Sequence, residues 1–450
     1  MTVEAVPATD DRTVILIRNA AVVTLNGDWD IYHDGHVLIR DGVVVSAGSG
    51  SGPEVAGART IDATGLVVMP GLVDLHFHTD IERGGYSESL EVEQALFQHW
   101  YPMMRNLDAE TAYAGALYSY VRALRGGTTM VNDMFRHVES LARAARDVGI
   151  RATLSSLVAR PEDGLDVLED NRAAFRACSG GADDLVRVVV GIEWIPLATP
   201  EMLGEAAGLA NELGTGLHLH LSESQAEVET CLSEFGARPT KVAYDHGLLG
   251  PSTVAAHCVW LTPDDISMIA ETGTHVSHNP AANSKLGEGI APAVRLLEAG
   301  VNVGLGHDST EGNNTMDMFD VMRTAAYLQR ALYADPKLMP ADRVLRMATA
   351  SGARALGVDA GVIEPGRKAD LILVEAEMDF FDIRSPAYRA NLAPRMVFGT
   401  NGNMVRTVIV DGRIVMEDRV VKTVDEAEVA ERAREAVARL ARHKRSGGSP

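Results

Sequence analysis

The fragment PGLVDLHFHTD carries His76 and His78 two residues apart, and the side-chain period of two in an extended strand turns both imidazoles to one face. Two convergent imidazoles are half of a metal site, although either histidine alone reads as readily as a packed core residue. A second pair, His218 and His220, stands in TGLHLHLSES, with Glu223 three residues beyond the second histidine. His220 lies nearer the end of its run and is assigned as the ligand, leaving His218 deeper as a packed or supporting residue. Glu223 reads either as a group that reaches a metal-activated water or as an exposed carboxylate at a helix start, where the helix dipole favours it. His257 closes the run TVAAHCV and Asp308 the run VNVGLGHDS. A carboxylate completes the charge balance of a three-histidine divalent site and can take a proton from an attacking water. Four separate runs ending in such residues point to one shared metal site rather than to four coincidences.

The elements that must hold these residues follow from the pattern between residues 65 and 310, where short β-branched runs alternate with segments of helical apolar spacing. The runs are LVVMPGLVDLHFH, TTMVNDM, RATLSSLVA, VRVVVGIEWI, TGLHLHLSE, TVAAHCV, THVSHNP and VNVGLGHDS. That number closes an α/β fold of the (β/α)8 TIM-barrel type, whose chemistry sits at the C-terminal ends of its strands. Before it, residues 13–64 read as hairpins turning at Asn26-Gly27, Asp34-Gly35 and Asp41-Gly42. The same style returns in residues 369–422, with a turn at Asp411-Gly412, so a small composite β-sandwich domain is expected from both chain ends. The expected division is 1–68 for the first part of that domain, 69–365 for the barrel, 366–422 for the second part, and 423–450 for a C-terminal helix and loose SGGSP tail. The acidic start and basic end of DEAEVAERAREAVARLARHKR suit a helix dipole.

A chain of 450 residues with 46% apolar and 23% charged residues is an ordinary globular composition. Its formal charge of −21 disfavours nucleic acid and anionic lipid as partners, and a small-molecule substrate fits better. The first residues lack the basic start and apolar run of a signal peptide, and no stretch reaches the roughly 18 apolar residues of a membrane span, so a cytoplasmic protein is expected. Cys178, Cys231 and Cys258 form no CxxC pair and read as reduced core residues. A homo-oligomer is the expected assembly.

In order along the chain, PGLVDLHFH, HLSE, AAHCV, SHNPAANSKLGEGIAPAVRLLEAGVNVGLG with Asp308, and GRKADLILV resemble the amidohydrolase superfamily. The resemblance is to the group that holds S-adenosylhomocysteine/methylthioadenosine deaminases, guanine and cytosine deaminases, and triazine hydrolases, and it covers nearly the whole chain. It implies that His76, His78, His220 and Asp308 bind one zinc per chain, with ferrous iron as the alternative, and that Glu223 and His257 act on substrate and water. Some relatives bridge two metals through a carboxylated lysine on the fourth strand; the fourth run here has no lysine, and Glu193 is its only candidate bridge.

The reaction so implied is hydrolytic removal of an amino group from a small nitrogen heterocycle such as a purine, pterin, pyrimidine or triazine. Zinc supplies an acidified water, Glu223 protonates the ring nitrogen, Asp308 takes the water's proton, and His257 polarises the forming hydroxyl. Alternatives are a chlorohydrolase, a cyclic amide hydrolase or an adenosine-type nucleoside deaminase; retention of all six residues weighs against a non-catalytic scaffold. Where nucleoside-using relatives place sugar contacts, this chain has Met104 after Trp100 and Pro102, and Trp194-Ile195 in place of a Gly-Pro-His-Ser-Pro segment. Trp100 and Trp194 are therefore assigned to stacking on the ring, against the plainer reading of rim packing, and a bare ring is expected over a nucleoside. His307 and Ser309-Thr310-Glu311 flank the aspartate; they read as orienting Asp308, with contact to a ring substituent as the alternative.

Overall fold

The computed structural model describes residues 14–81, 89–179, 184–376 and 391–447; the first thirteen residues and the last three of the SGGSP tail lie outside these. Asp41-Gly42 and Asp411-Gly412 both take positive φ, at 52° and 81° and at 50° and 72°, the backbone of a two-residue turn whose twist matches that of its flanking strands. The first joins β2 (Ile31–Arg40) to β3 (Val43–Ser49), and the second joins β16 (Val405–Val410) to β17 (Arg413–Glu417). With β1 (Ile15–Val23), β4 (Arg59–Asp62), β5 (Leu66–Pro70), β15 (Leu371–Glu375) and β18 (Val420–Val421) they form a nine-stranded sheet of order β18-β17-β16-β15-β5-β1-β2-β3, with β4 beside β1. Strands from both chain ends meet where β15 pairs with β5. Asp34-Gly35 is not a turn: it lies inside β2, opposite Ala20 and Ser49. A Cβ on Gly35 would stand 2.8 Å from Tyr32 Cβ, so close approach within the sheet, not a reversal, explains that glycine.

The first apolar run is not one strand either. It divides at Gly71, where a Cβ would come within 2.2 Å of Thr129 Oγ1; β5 belongs to the nine-stranded sheet and β6 (Leu72–Phe77) begins a parallel one. In that sheet β6 pairs with β7 (Thr128–Met134), β8 (Arg151–Ser155) and β9 (Val186–Val188) in sequence. A second parallel sheet runs through β10 (Val190–Ile192), β11 (Leu217–Leu221), β12 (Thr253–His257), β13 (His275–His278) and β14 (Val303–Leu305). β9 and β10 are halves of one run: the Val189 amide donates to Leu154 in β8, and the Val190 amide donates to Gly216 just before β11. At the other edges Phe77 and Asp308 form a parallel bridge, with Asp308 N donating to His76 O and His78 N to Asp308 O. Helices such as Ala109–Arg125, Val138–Val148 and Pro200–Leu213 link consecutive strands. This is an α/β fold of the TIM-barrel type.

One large apolar cluster runs through the parallel strands and their helices into Val67, Met69, Ile372 and Val374 of the nine-stranded sheet. Val68, Leu371 and Leu373, on the opposite face, enter a second cluster with Ile15, Val37 and Ile409. The period of two thus gives that sheet two buried faces. Arg151 at the start of β8 reaches across with Nε 3.0 Å from Asp370 Oδ2 and Nη2 3.4 Å from Asp411 Oδ1. The helix expected near the C-terminus spans Glu426–Gly447. Cys178, Cys231 and Cys258 are free and buried, and no described helix is long and apolar enough to cross a membrane.

Candidate metal centre and catalytic site

Strand alternation sends His76 of β6, and His78 just beyond that strand's end, to the same side as His220 of β11, and the chain after β14 brings Asp308 to them. His76 Nε2 and His78 Nε2 both lie 3.5 Å from Asp308 Oδ1, and His78 Nε2 lies 3.2 Å from His220 Nε2. The other ring nitrogens decide what these atoms carry. His78 Nδ1 donates to the Met134 carbonyl (2.7 Å) and His220 Nδ1 to the Glu193 carbonyl; a carbonyl only accepts, so both protons sit on Nδ1. Burial, then neighbouring histidines, holds His76 and His220 well below the usual imidazole range, and burial lowers His78 against the pull of Asp308. Neutral rings of this tautomer aim lone pairs at one another and at a carboxylate. His76 Nε2 is buried without any hydrogen-bond partner. Such a convergence of acceptors is unfavourable unless a cation occupies it, and three nitrogens and an oxygen fit a divalent ion of the zinc or ferrous class.

His218 is also fully buried but lies deeper: its Nε2 is 2.9 Å from His76 Nδ1, and Ser155 Oγ is 3.3 Å from its Nδ1. Glu193 stands on the Nδ1 side of His220 (3.9 Å), and Tyr101 donates to its Oε1 at 3.1 Å. That side is remote from the converging Nε2 atoms, so the carboxylate is badly placed to bridge two metals. Burial pushes its carboxyl up to about 8.

Glu223, just past β11, is buried, with Oε1 3.5 Å from His257 Nε2. Its backbone is pinned by Glu227, whose carboxylate accepts from the amides of Ser222 (3.1 Å) and Glu223 (2.6 Å). Burial raises the Glu223 carboxyl. Burial alone would lower His257, but Glu223 and Asp308 raise it overall. Ser222, His257, Cys258 and Asp308 all take positive φ, at 51°, 70°, 51° and 77°, a conformation costing about 1–3 kcal/mol per non-glycine residue and concentrated at functional sites. Here it bends three strand ends inward.

Asp308 is held from behind. His307 N and Nδ1 both donate to Asp74, at 3.0 and 2.6 Å, with both side chains buried. Ser309 instead caps the short helix Thr310–Asn313, accepting from Gly312 N at 3.0 Å, and Thr310 Oγ1 donates to Asp80. His307 and Asp74 thus fix the backbone that leads into Asp308.

These groups open into a cleft lined by His78, His220, Glu223 and Asp308 together with Leu96, Trp100, Met103 and Trp194; the Trp100 ring centroid stands 5.6 Å from that of His78. Glu193, Ser309 and Glu311 add polar atoms. Met104 and Ile195 are fully buried and absent from the lining, so they say nothing for or against a sugar. Sequence reasoning missed Asp74, Tyr101, Asn283 and Glu288, which become visible only when distant segments meet, and Glu227, which folds back onto the amides just before its own helix.

A model of the amidohydrolase family matches residues 67–415. A 5'-deoxyadenosine deaminase of Methanosarcina mazei is 36% identical over 430 residues, covering 95% of this chain and 98% of that protein. A 5-methylthioadenosine/S-adenosylhomocysteine deaminase of Symbiobacterium thermophilum is 38% identical over 444 residues, covering 95% and 99%. Among solved structures, an adenosine deaminase from Xanthomonas campestris with bound zinc superposes with a TM-score of 0.87 at 27% identity, covering 95% of this chain and 99% of that one.

Proposed function

Because the chain belongs to the amidohydrolase family, we propose that it is a hydrolytic deaminase that exchanges the amino group of a nitrogen heterocycle for oxygen, with one zinc per chain held by His76, His78, His220 and Asp308. The observation that carries this reading is the meeting of His76 and His78 Nε2 at one Asp308 oxygen, with His220 Nε2 against His78 Nε2, beside the buried, raised Glu223. The ion supplies, when bound, an acidified water as nucleophile at neutral pH. Asp308 accepts a proton from that water. Glu223 delivers a proton to the ring nitrogen, His257 steadies the forming hydroxyl, and ammonia departs after protonation. Trp100 and Trp194 flank the ring and keep bulk water out. Ferrous iron suits the same ligands.

The substrate class is an amino-substituted purine-type ring, with adenosine-type nucleosides first, because relatives at 36–38% identity are named for such substrates and polar groups at Glu193, Ser309 and Glu311 line the cleft. A bare ring is the second reading, favoured by the apolar walls. Comparing kcat/KM for matched base and nucleoside pairs decides: preference for the nucleoside by about tenfold or more per sugar hydroxyl engaged is expected, and preference for every free base overturns it.

The architecture read here is a closed (β/α)8 barrel over about residues 69–365, a composite β-sandwich domain from 1–68 and 366–422, and a C-terminal helix and tail in 423–450. A cytoplasmic homo-oligomer is part of the same reading, supported by Tyr327, Leu332 and Tyr333, which leave about half or more than a third of their surface exposed on one helix. Light scattering giving a monomer at working concentration removes that part.

A further inference from the structure

A second carboxylate, which the reaction described above does not use, lies against Glu223. Glu288 follows the helix Pro280–Lys285; its amide donates to Asn283 O at 2.9 Å and its carbonyl accepts from Trp260 Nε1 at 2.8 Å, so its backbone is fixed. The side chain is 5% exposed. Asn283 Oδ1 stands 2.8 Å from His257 Nδ1, and turning that amide over would place its nitrogen 3.0 Å from Glu288 Oε2, while Glu288 Oε1 is buried with no donor. Oxygen and nitrogen atoms of Glu223, His257 and Glu288 gather within 4.8 Å of one another. Burying two carboxyl groups this close together strongly disfavours ionising both.

Resting on the deaminase reading, we propose that Glu288 is a positioning residue that shares one proton with Glu223, holding it in the resting site and releasing it through Glu223 to the substrate ring. The surrounding charges agree. Burial, then Glu223, keeps the Glu288 carboxyl well above the usual range, while burial raises the Glu223 carboxyl and Glu288 lowers it, so the shared proton rests on Glu288. Asp308 and Glu93 push both groups up, and Glu227 lies beside Glu223 at its amide. His257, 3.5 Å from Glu223 and 3.9 Å from Glu288, is the one group among these that can carry positive charge. Protons balance over the turnover. Water adds across the C=N–NH2 unit; one of its hydrogens replaces the proton that Glu223 gives to the ring nitrogen, and the other leaves with ammonia. The pair ends with the single proton it began with.

The test uses the metal-loaded full chain, wild type against E288Q, with two readouts. Infrared difference spectra at about pH 7 should show a protonated-carboxyl band in the wild type that E288Q lacks. With adenosine as probe, the basic limb of kcat/KM against pH should move at least about one unit lower in E288Q, which means about tenfold less activity at pH values above both limbs, because the last proton of the pair must then be held by Glu223 alone. An unchanged band with an unchanged limb overturns the proposal, as does a second equivalent of metal that E288Q releases. Should E288Q fail to fold, E223Q decides: the Glu288 band must shift when its carboxylate partner becomes an amide, and an unshifted band overturns the pair. If adenosine is not turned over by the wild type, the substrate reading falls while the infrared comparison still judges the pair.

Discussion

Replacing Glu223 by glutamine removes a proton without removing a metal ligand, so E223Q should keep its metal and lose at least about a hundredfold in turnover, the usual contribution of a general acid. The histidine pair on β11 divides the other way. His220→Ala deletes one of three converging nitrogens and should release the ion, whereas His218→Ala removes only the 2.9 Å support of His76 Nδ1 and should retain it. Metal analysis of the three variants reads all of this, and retention by H220A with loss by H218A would reverse the ligand assignment. The histidines proposed as ligands were legible as candidates because β-strand period and position at a run's end dictate which way an imidazole faces. Glu288 was not, because nothing local to KLGEGIAP marks a carboxylate that meets Glu223 sixty-five residues away. The weight placed on Met104 and Ile195 failed for a related reason: sequence placed them near the rim, but packing turned both side chains into the core.

At the scale of elements, the parallel strands and the nine-stranded sheet are pinned together by Arg151, whose guanidinium forks onto Asp370 and also reaches Asp411. Its side chain is 3% exposed. Arg151→Ala strands Asp370 in the interior and should cost about 3–5 kcal/mol, because breaking a buried pair leaves an uncompensated charge. Adding Asp370→Asn should recover part of that loss. Denaturant midpoints of the single and double variants measure it, and a loss for R151A within about 0.5 kcal/mol, as at an exposed surface site, would show that the pair does not join the two sheets. Element types and order along the parallel strands were readable from alternation of β-branched runs with helical spacing. Two local readings failed where tertiary contact overrode a local signal: Asp34-Gly35 sits mid-strand because its neighbours crowd it, and LVVMPGLVDLHFH divides at Gly71 because no side chain fits against Thr129.

For the whole molecule, the long sequence separation of the site's parts is the main fact. β6, β11, β12 and the chain after β14 span residues 72 to 308, yet their ends meet within hydrogen-bond range. The nine-stranded sheet closes around β5, which leads directly into β6, so strands from both halves of that sheet support the strand that carries His76 and leads into His78. Composition pointed to a small-molecule enzyme but carried no signal for which ring it takes; the lining of the cleft is set by segments that sequence spacing does not connect. The most direct test of the account is ammonia release from adenosine-type nucleosides and free amino-heterocycles by protein stripped of metal and then reloaded with one equivalent of zinc. The account predicts no release from stripped protein, release matching substrate consumption one for one after reloading, and loss of at least about a hundredfold with E223Q. Equal activity without metal, or consumption of a ring with another leaving group and no ammonia from any amino ring, would contradict it.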